Sequence, residues 1–438
     1  MKKVSLIMSL IVGTLLSFNF VEAQNKPETL SEDAAWCWFS GPRAIYRHNG
    51  KAEIVTGWIT KDGTLQAALL NYIEGASQVQ TIAPQLEKDD HANPAFAELA
   101  DKDVLLFCAK HYDHKVRVNR LKTDASSLEF GETVEHDIYD EEELKRYPYK
   151  RVTYANPFAL SNENNRIYCF GRWTGFKPNI TWSDDDGVSF EKSRVFITNI
   201  PFDGNNRPYV CYSSDGKSKI HILFTDGHPR NEPLNSVYYA CYENGAFWKA
   251  DGTKICDLKN IPFEPKDASV VYQATEENGR AWIYDIGSDR KGRPVVLYAR
   301  YPEETKHLYH YAIFDGKKWI DNEVCNAGKW FPQTPEGKIE PEPHYSAGMS
   351  LNPLNPNIIY LSRDVNGTFE IEKQETRNHG KSWKVTPITQ NSEYDNVRPV
   401  VPKNMKKGDV PVVLWMVNKK YIHYTNYDTG IDYFVDEK

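Results

Sequence analysis

Five residues have types and spacing that could carry acid–base chemistry: His91, His111, Tyr154 and Arg172, and, well before them, His48. A β-elimination beside a uronic acid needs three things: a base for the C5 proton, a cation or donor to neutralise the carboxylate, and an acid for the departing oxygen. Two histidines, a tyrosine and an arginine can supply all of them. His48 stands in a His48-Asn49-Gly50 turn, a setting in which a histidine is usually just solvated. Composition and spacing alone therefore rank the group of four above the single histidine.

Whether the four can meet depends on the strands that carry them. Residues 88–115 read as turn, strand, turn, strand, turn, with apolar runs at 94–99 and 104–109 around an acidic turn at 100–103. An antiparallel pair returns the chain to its starting side, so His91 and His111 are expected on neighbouring strands at one end of the sheet. The same phrase recurs at Tyr154, Asn206, Trp282, His344 and Val397. With the units near Gly41 and His91 that makes seven, at an irregular period of about 50 to 75 residues, which predicts an all-β, seven-bladed β-propeller. A single domain over residues 24–438 is expected. No sustained helical period is visible beyond a possible turn at 140–144.

In a propeller the innermost strand of each blade runs along the central channel. Call the end where it begins the top. His91 and Tyr154 begin first strands, and His111 and Arg172 end second strands, so all four belong to the top. His48 follows the first strand of its unit, residues 42–47, and belongs to the bottom. A strand of seven residues is about 23 Å long, so His48 cannot share a site with the other four.

Two units carry a further signature. Residues 183–190 fit S-x-D-x-G-x-x-aromatic, and residues 376–383 are a looser copy. They resemble Asp-boxes, the turn between third and fourth strands of sialidase-type blades. There the acidic side chain caps turn amides, glycine takes positive φ and the aromatic packs between blades. Their role is structural.

The remaining features bound the function class. Lys2 and Lys3, an apolar stretch at 4–16 and the small-residue site Val21-Glu22-Ala23 predict a signal peptide over residues 1–23. That stretch is short for a membrane span, so export without membrane insertion is expected. A formal net charge of −7 with no basic tract disfavours nucleic acid or an anionic membrane as partner. Seven cysteines without a C-x-x-C pair read as buried free thiols. No ligand cluster of diagnostic spacing is visible, so neither metal nor cofactor is expected. Oligomeric state is not legible.

Trp36–Ala44 (WCWFSGPRA), Asp89–Ala95 (DDHANPA) and Tyr154–Pro157 (YANP) resemble the phrases of seven-bladed propellers that act on uronic-acid glycans, and the resemblance extends over the mature chain. One branch is the ulvan lyases, whose His, His, Tyr, Arg set matches His91, His111, Tyr154 and Arg172. The other is glycoside hydrolase family 145, α-L-rhamnosidases that remove rhamnose capping glucuronic acid on plant arabinogalactan proteins. That branch works from the posterior face with one histidine, matched by His48 in YRHNGK, and retains a lyase-like anterior pocket. The chain looks closest to it. The resemblance thus reverses the ranking given by the residues alone: it implies an exo-acting rhamnosidase with His48 catalytic, an acidic plant glycan as substrate, and a periplasmic location. Lys403, Lys406 and Lys407, in the last unit's bottom turn, are candidates to meet the glucuronate.

Overall fold

The computed structural model describes residues 26–124, 127–330, 337–339 and 345–437. The expected signal peptide and His344, where the sixth unit was expected to begin, lie outside them.

Seven antiparallel sheets form, six of four strands and one of six, each built mainly from consecutive strands. Their innermost strands are Ala44–Arg47, Ala95–Glu98, Thr153–Leu160, Val210–Ser214, Arg280–Ser288, Met349–Leu351 and Asp395–Val400. These fall within the seven units expected from the repeat, and we number the blades 1 to 7 in that order. Blade 7 is completed by Glu28–Ser31, which pairs with Asn426–Val435 near the other end of the chain. That segment is polar and buries only Leu30. As the outer edge of a blade it needs just one inward side chain, and pairing first with last elements closes the ring.

Both Asp-box turns sit where predicted, after Pro178–Ser183 and after Thr368–Glu375. In the first, Ser183 Oγ accepts from Gly187 N at 2.9 Å and Asp185 accepts from Ser189 N at 2.9 Å. Gly187 adopts φ 85°, and Phe190 packs edge-on against Phe107 of blade 2. In the second, Thr376 and Asn378 play the same parts and Trp383 meets Tyr311 of blade 5.

Three inner strands are bulged, with register shifts between Thr153 and Asn156, Ile283 and Asp285, and Val397 and Val400. Two of the bulges hold non-glycine residues at positive φ, Tyr154 at 69° and Arg398 at 53°. Such a bulge re-aims a side chain away from the pleat, and the strain it stores marks functional positions. The helical turn expected at 140–144 is the helix Glu141–Arg146, capped by Asp140. All seven cysteines are free thiols. No helix among the described residues is long and apolar enough to cross a membrane.

Candidate functional site

The top, or anterior, set converges. The ring planes of His91 and His111 lie 8° apart with centroids at 3.9 Å. Tyr154 lies 5.7 Å from His91, and the Arg172 guanidinium lies 5.0 Å from the Tyr154 ring centre. The hairpin explains the histidine pair: His91 lies in the single turn before Ala95–Glu98, and His111 follows Val104–Cys108. Arg172 ends its strand opposite Thr153, which brings it to the Tyr154 bulge. Gly171 makes that bulge possible, because a Cβ there would overlap the Trp173 indole and the Tyr154 carbonyl.

One carboxylate organises both imidazoles. Asp89 Oδ1 lies 2.7 Å from His91 Nδ1, and Oδ2 lies 2.8 Å from His111 Nδ1. Asp90 stands 3.2 Å from His91 Nδ1 and is itself held by Arg398 and Tyr421. The charges divide unequally. Burial opposes a proton on His91, but Asp89 and Asp90 raise its pKa well above the ordinary value. Burial, then the positive His91, pull His111 down to about 3. Near neutral pH the pair therefore carries one proton fewer than full charge, one ring a donor and the other an acceptor. Burial raises the Tyr154 phenol, which stays protonated despite Arg172.

Arg172 is buried without a counter-charge. Its Nη1 donates to Tyr209 at 2.6 Å, its plane lies over Tyr154 and Tyr209, and its Nε meets no partner. No carboxylate pairs with it among the described residues; burial opposes its charge, and the hydrogen bond to Tyr209 favours it. A buried cation lacking an anion is costly and is suited to receive one.

The posterior site is different. His48 does not touch the anterior set; its backbone N donates to Glu98 Oε1 at 2.8 Å. Glu98 ends the strand Ala95–Glu98, which begins after the turn that holds His91, so the two lie at opposite ends of it. His48 Nδ1 lies 3.2 Å from Glu98 Oε2, and Nε2 lies 3.3 Å from Asp409 Oδ2. Asn404 donates to Glu98 Oε2 at 3.0 Å. Burial opposes charge on Glu98, but bonds from His48 and Asn404 hold its pKa down, at about 2, so it is an anion in the working range. The imidazole is 15% exposed; it is fixed on both nitrogens yet reachable. Of the basic residues in the last turn, Lys403 is bound inward to Asp285 at 2.9 Å, and Lys406 Nζ stands 4.0 Å from Glu98. Lys102, from blade 2, is 3.4 Å from the same oxygen.

Sequence reasoning missed Asp89, Asp90, Arg398, Glu98, Asn404 and Asp409. The same strand-direction rule places Arg398 at the top and Glu98 and Asp409 at the bottom, so the signal was present. It also missed a metal-capable cluster: ligand atoms of Asp89, His91 and His111 all lie within 4.8 Å of one another, at sequence spacings that match no metal motif.

The sequence matches the BNR repeat-containing family over residues 55–327. The chain belongs to this family. No curated protein matches it. Among solved structures, this BNR-repeat chain superposes on a polysaccharide lyase of family PL25, an ulvan lyase, with a TM-score of 0.69 at 11% identity, covering 94% of this chain and 96% of that one. The same enzyme bound to -[GlcA(1-4)Rha3S]- gives 0.68 at 11% over the same shares. The polysaccharide lyase Uly1 gives 0.57 at 10% identity, with 95% and 100% covered. At such identity the likeness establishes the shared propeller and no more.

Proposed function

We propose that this BNR-repeat propeller is an exo-acting α-L-rhamnosidase of the family 145 type. It removes L-rhamnose from α-1,4-linked D-glucuronate at the ends of acidic plant arabinogalactan chains, and it works at the posterior face. The observation that carries this is the clamped imidazole: His48 is reachable and faces a carboxylate from each of two other blades. A histidine so held moves a proton at a fixed point, as cleavage of a glycosidic bond requires. Glu98 fixes the ring through Nδ1, and proton exchange with the glycosidic oxygen or the attacking water runs through Nε2 beside Asp409. Lys102 and Lys406 stand where a glucuronate carboxylate would approach. The ulvan lyase relative binds a glycan of glucuronate and sulfated rhamnose, the same two sugar types. The enzyme is exported to the periplasm.

A second reading, uronate β-elimination at the anterior face, is favoured by the buried, unpaired Arg172 beside a neutral His111 and a protonated Tyr154. One assay separates the two. The parent, His48→Ala and the His91→Ala/His111→Ala double variant are incubated with rhamnose-capped arabinogalactan, and free rhamnose and ultraviolet absorbance are followed together. Rhamnose release lost only with His48 supports the hydrolase. An absorbing product lost only in the double variant moves the chemistry to the anterior face. Tight binding without any product would make the protein a glycan-binding module.

A further inference from the structure

We propose that Asp285 is a positioning residue for His48, acting across the central channel through Lys403. This role rests on the posterior reading above and extends it from the clamp around His48 to the ion pair that holds the clamp in place.

Two of the groups around His48 come from one connection, residues 401–411, which joins the first two strands of blade 7. Asn404 donates to Glu98 Oε2, and Asp409 Oδ2 faces His48 Nε2. Neither residue sits on a strand. The connection is instead laid along the inner strand of blade 1: Lys403 N donates to Ala44 O at 2.9 Å, and Lys403 O accepts from Tyr46 N at 3.1 Å. Directly after it Asn404 enters the left-handed region, at φ 62°. Asp409 closes the turn by accepting from Lys406 N at 2.7 Å. Lys403 is thus the point at which the backbone is fixed to blade 1 before the clamp begins.

The Lys403 side chain is tied at its far end. Its Nζ lies 2.9 Å from both oxygens of Asp285, on the inner strand of blade 5. Asp285 also accepts from Leu351 N at 2.9 Å and from Ser350 Oγ at 3.2 Å, both in blade 6. Ser350 Oγ in turn accepts from Val401 N at 3.1 Å. Blades 5, 6 and 7 are therefore joined around one carboxylate. The pair is mostly buried, with the Lys403 and Asp285 side chains 22% and 11% exposed. Asp285 stands at the register shift of its strand, and such a bulge re-aims a side chain. The bulges at Tyr154 and Arg398 serve the anterior cluster; this one meets Lys403. Arg43 and the Cys211 thiol are the other ionisable groups that sense the Asp285 charge, and neither is bonded to it among the described residues.

Removing one half of a buried pair strands the other charge. Without Asp285 the Lys403 ammonium must leave the channel for water, and Asn404, the next residue, moves with it. A misplacement of about 1 Å around a reacting group can cost about a hundredfold in rate.

The test uses the full mature protein and reads His48 by the nitrogen chemical shifts of its imidazole, assigned by their loss in His48→Gln. Asp285→Asn should move those shifts and lower kcat for rhamnose release by about tenfold or more, with KM little changed. Asp285→Glu should restore most of both. The double variant Asp285→Asn/Lys403→Met strands neither charge, so it folds even where the single variant does not. It should show displaced His48 shifts with no further loss in kcat, because the two residues act as one unit. Circular dichroism confirms that each variant is folded. Unmoved His48 shifts in the folded variants overturn the proposal, whatever happens to kcat. So does a rise in KM confined to Lys403→Met, which would make Lys403 a contact to the glucuronate. If the parent releases no rhamnose, the posterior reading fails, and the His48 shifts still decide whether Asp285 holds the clamp.

Discussion

The two ends of the channel use the same parts in opposite arrangements. At the anterior end one carboxylate, Asp89, serves two imidazoles. At the posterior end one imidazole, His48, serves two carboxylates, Glu98 and Asp409. The first arrangement splits the histidines, because the proton held by His91 denies one to His111. The second fixes a single ring at both nitrogens. The anterior end also offers a buried, unpaired guanidinium, whereas the posterior end offers two ammoniums already leaning on Glu98. A ligand anion would relieve the first and compete for the second. A propeller can hold two such unlike centres because its inner strands keep their ends a full strand length apart.

The largest expected effect comes from unmaking the posterior clamp without removing its histidine. Glu98→Gln keeps the size of the side chain but loses the charge that accepts His48 Nδ1–H. A hydrogen bond to a charged group contributes about 1.5–3 kcal/mol, which corresponds to roughly a tenfold to hundredfold loss in rate. Rhamnose release should fall by that factor in kcat, with KM little changed and the pH profile displaced. A change in KM alone would make Glu98 a substrate contact and break the contrast between the two ends.

A smaller effect is expected at the anterior end. D-Glucuronate should raise the melting midpoint of the parent by about 1 °C or more at concentrations well above its Kd, by linkage to the folded state. In Arg172→Met that rise should vanish. The variant itself should melt no lower than the parent, because an uncompensated buried charge has been replaced by an apolar chain. A rise that persists in Arg172→Met would assign the anion to the posterior lysines instead.

Much of this plan is legible in the sequence, and the reason is topological. Repeated strand–turn–strand phrases reveal the seven blades, and strand direction sorts residues by end. That separates His48 from Tyr154 without any coordinates. The partners that turn placed residues into centres are less legible. Glu98 is 50 residues from His48, and Asp409 is 361 residues away, across the closure of the ring. An acid at a strand end or in a charged turn is normally solvated, and only the docking of blades 2 and 7 against blade 1 gives these two a histidine. Asp89 lies two residues from His91, yet nothing in its sequence setting marks it as the carboxylate that His111 also needs. The strand Glu28–Ser31 is hidden for a similar reason, since an edge strand can be polar on both faces.

The finest distinction between the ends is in their proton linkage. His111 titrates at about 3 in the fold and near 6.5 in an unfolded chain. The unfolded state therefore binds more protons between those values, and stability falls as pH drops below 6.5. His91 is displaced upward, so its contribution is complete below 6.5 and is lost as pH rises through its folded value. Together the pair places a stability maximum near pH 6.5. Glu98, held at about 2, keeps its stabilising contribution in full above the unfolded glutamate's pKa of about 4.3 and loses it only as pH falls below that. The buried histidines that act in the window from 6.5 to 4.5 are His111, His221, which burial holds at about 4, and His136, lowered by burial; Glu87, Asp226 and Asp432, raised by burial, act with the opposite sign as pH falls toward the carboxylate range. His111→Gln should reduce the slope of unfolding free energy in that window by up to one proton, about 1.4 kcal/mol per pH unit. Glu98→Gln should leave the window unchanged and alter the slope only below it. Urea unfolding at half-unit steps of pH measures both slopes, and an equal response from the two variants would mean that the anterior histidines are not split.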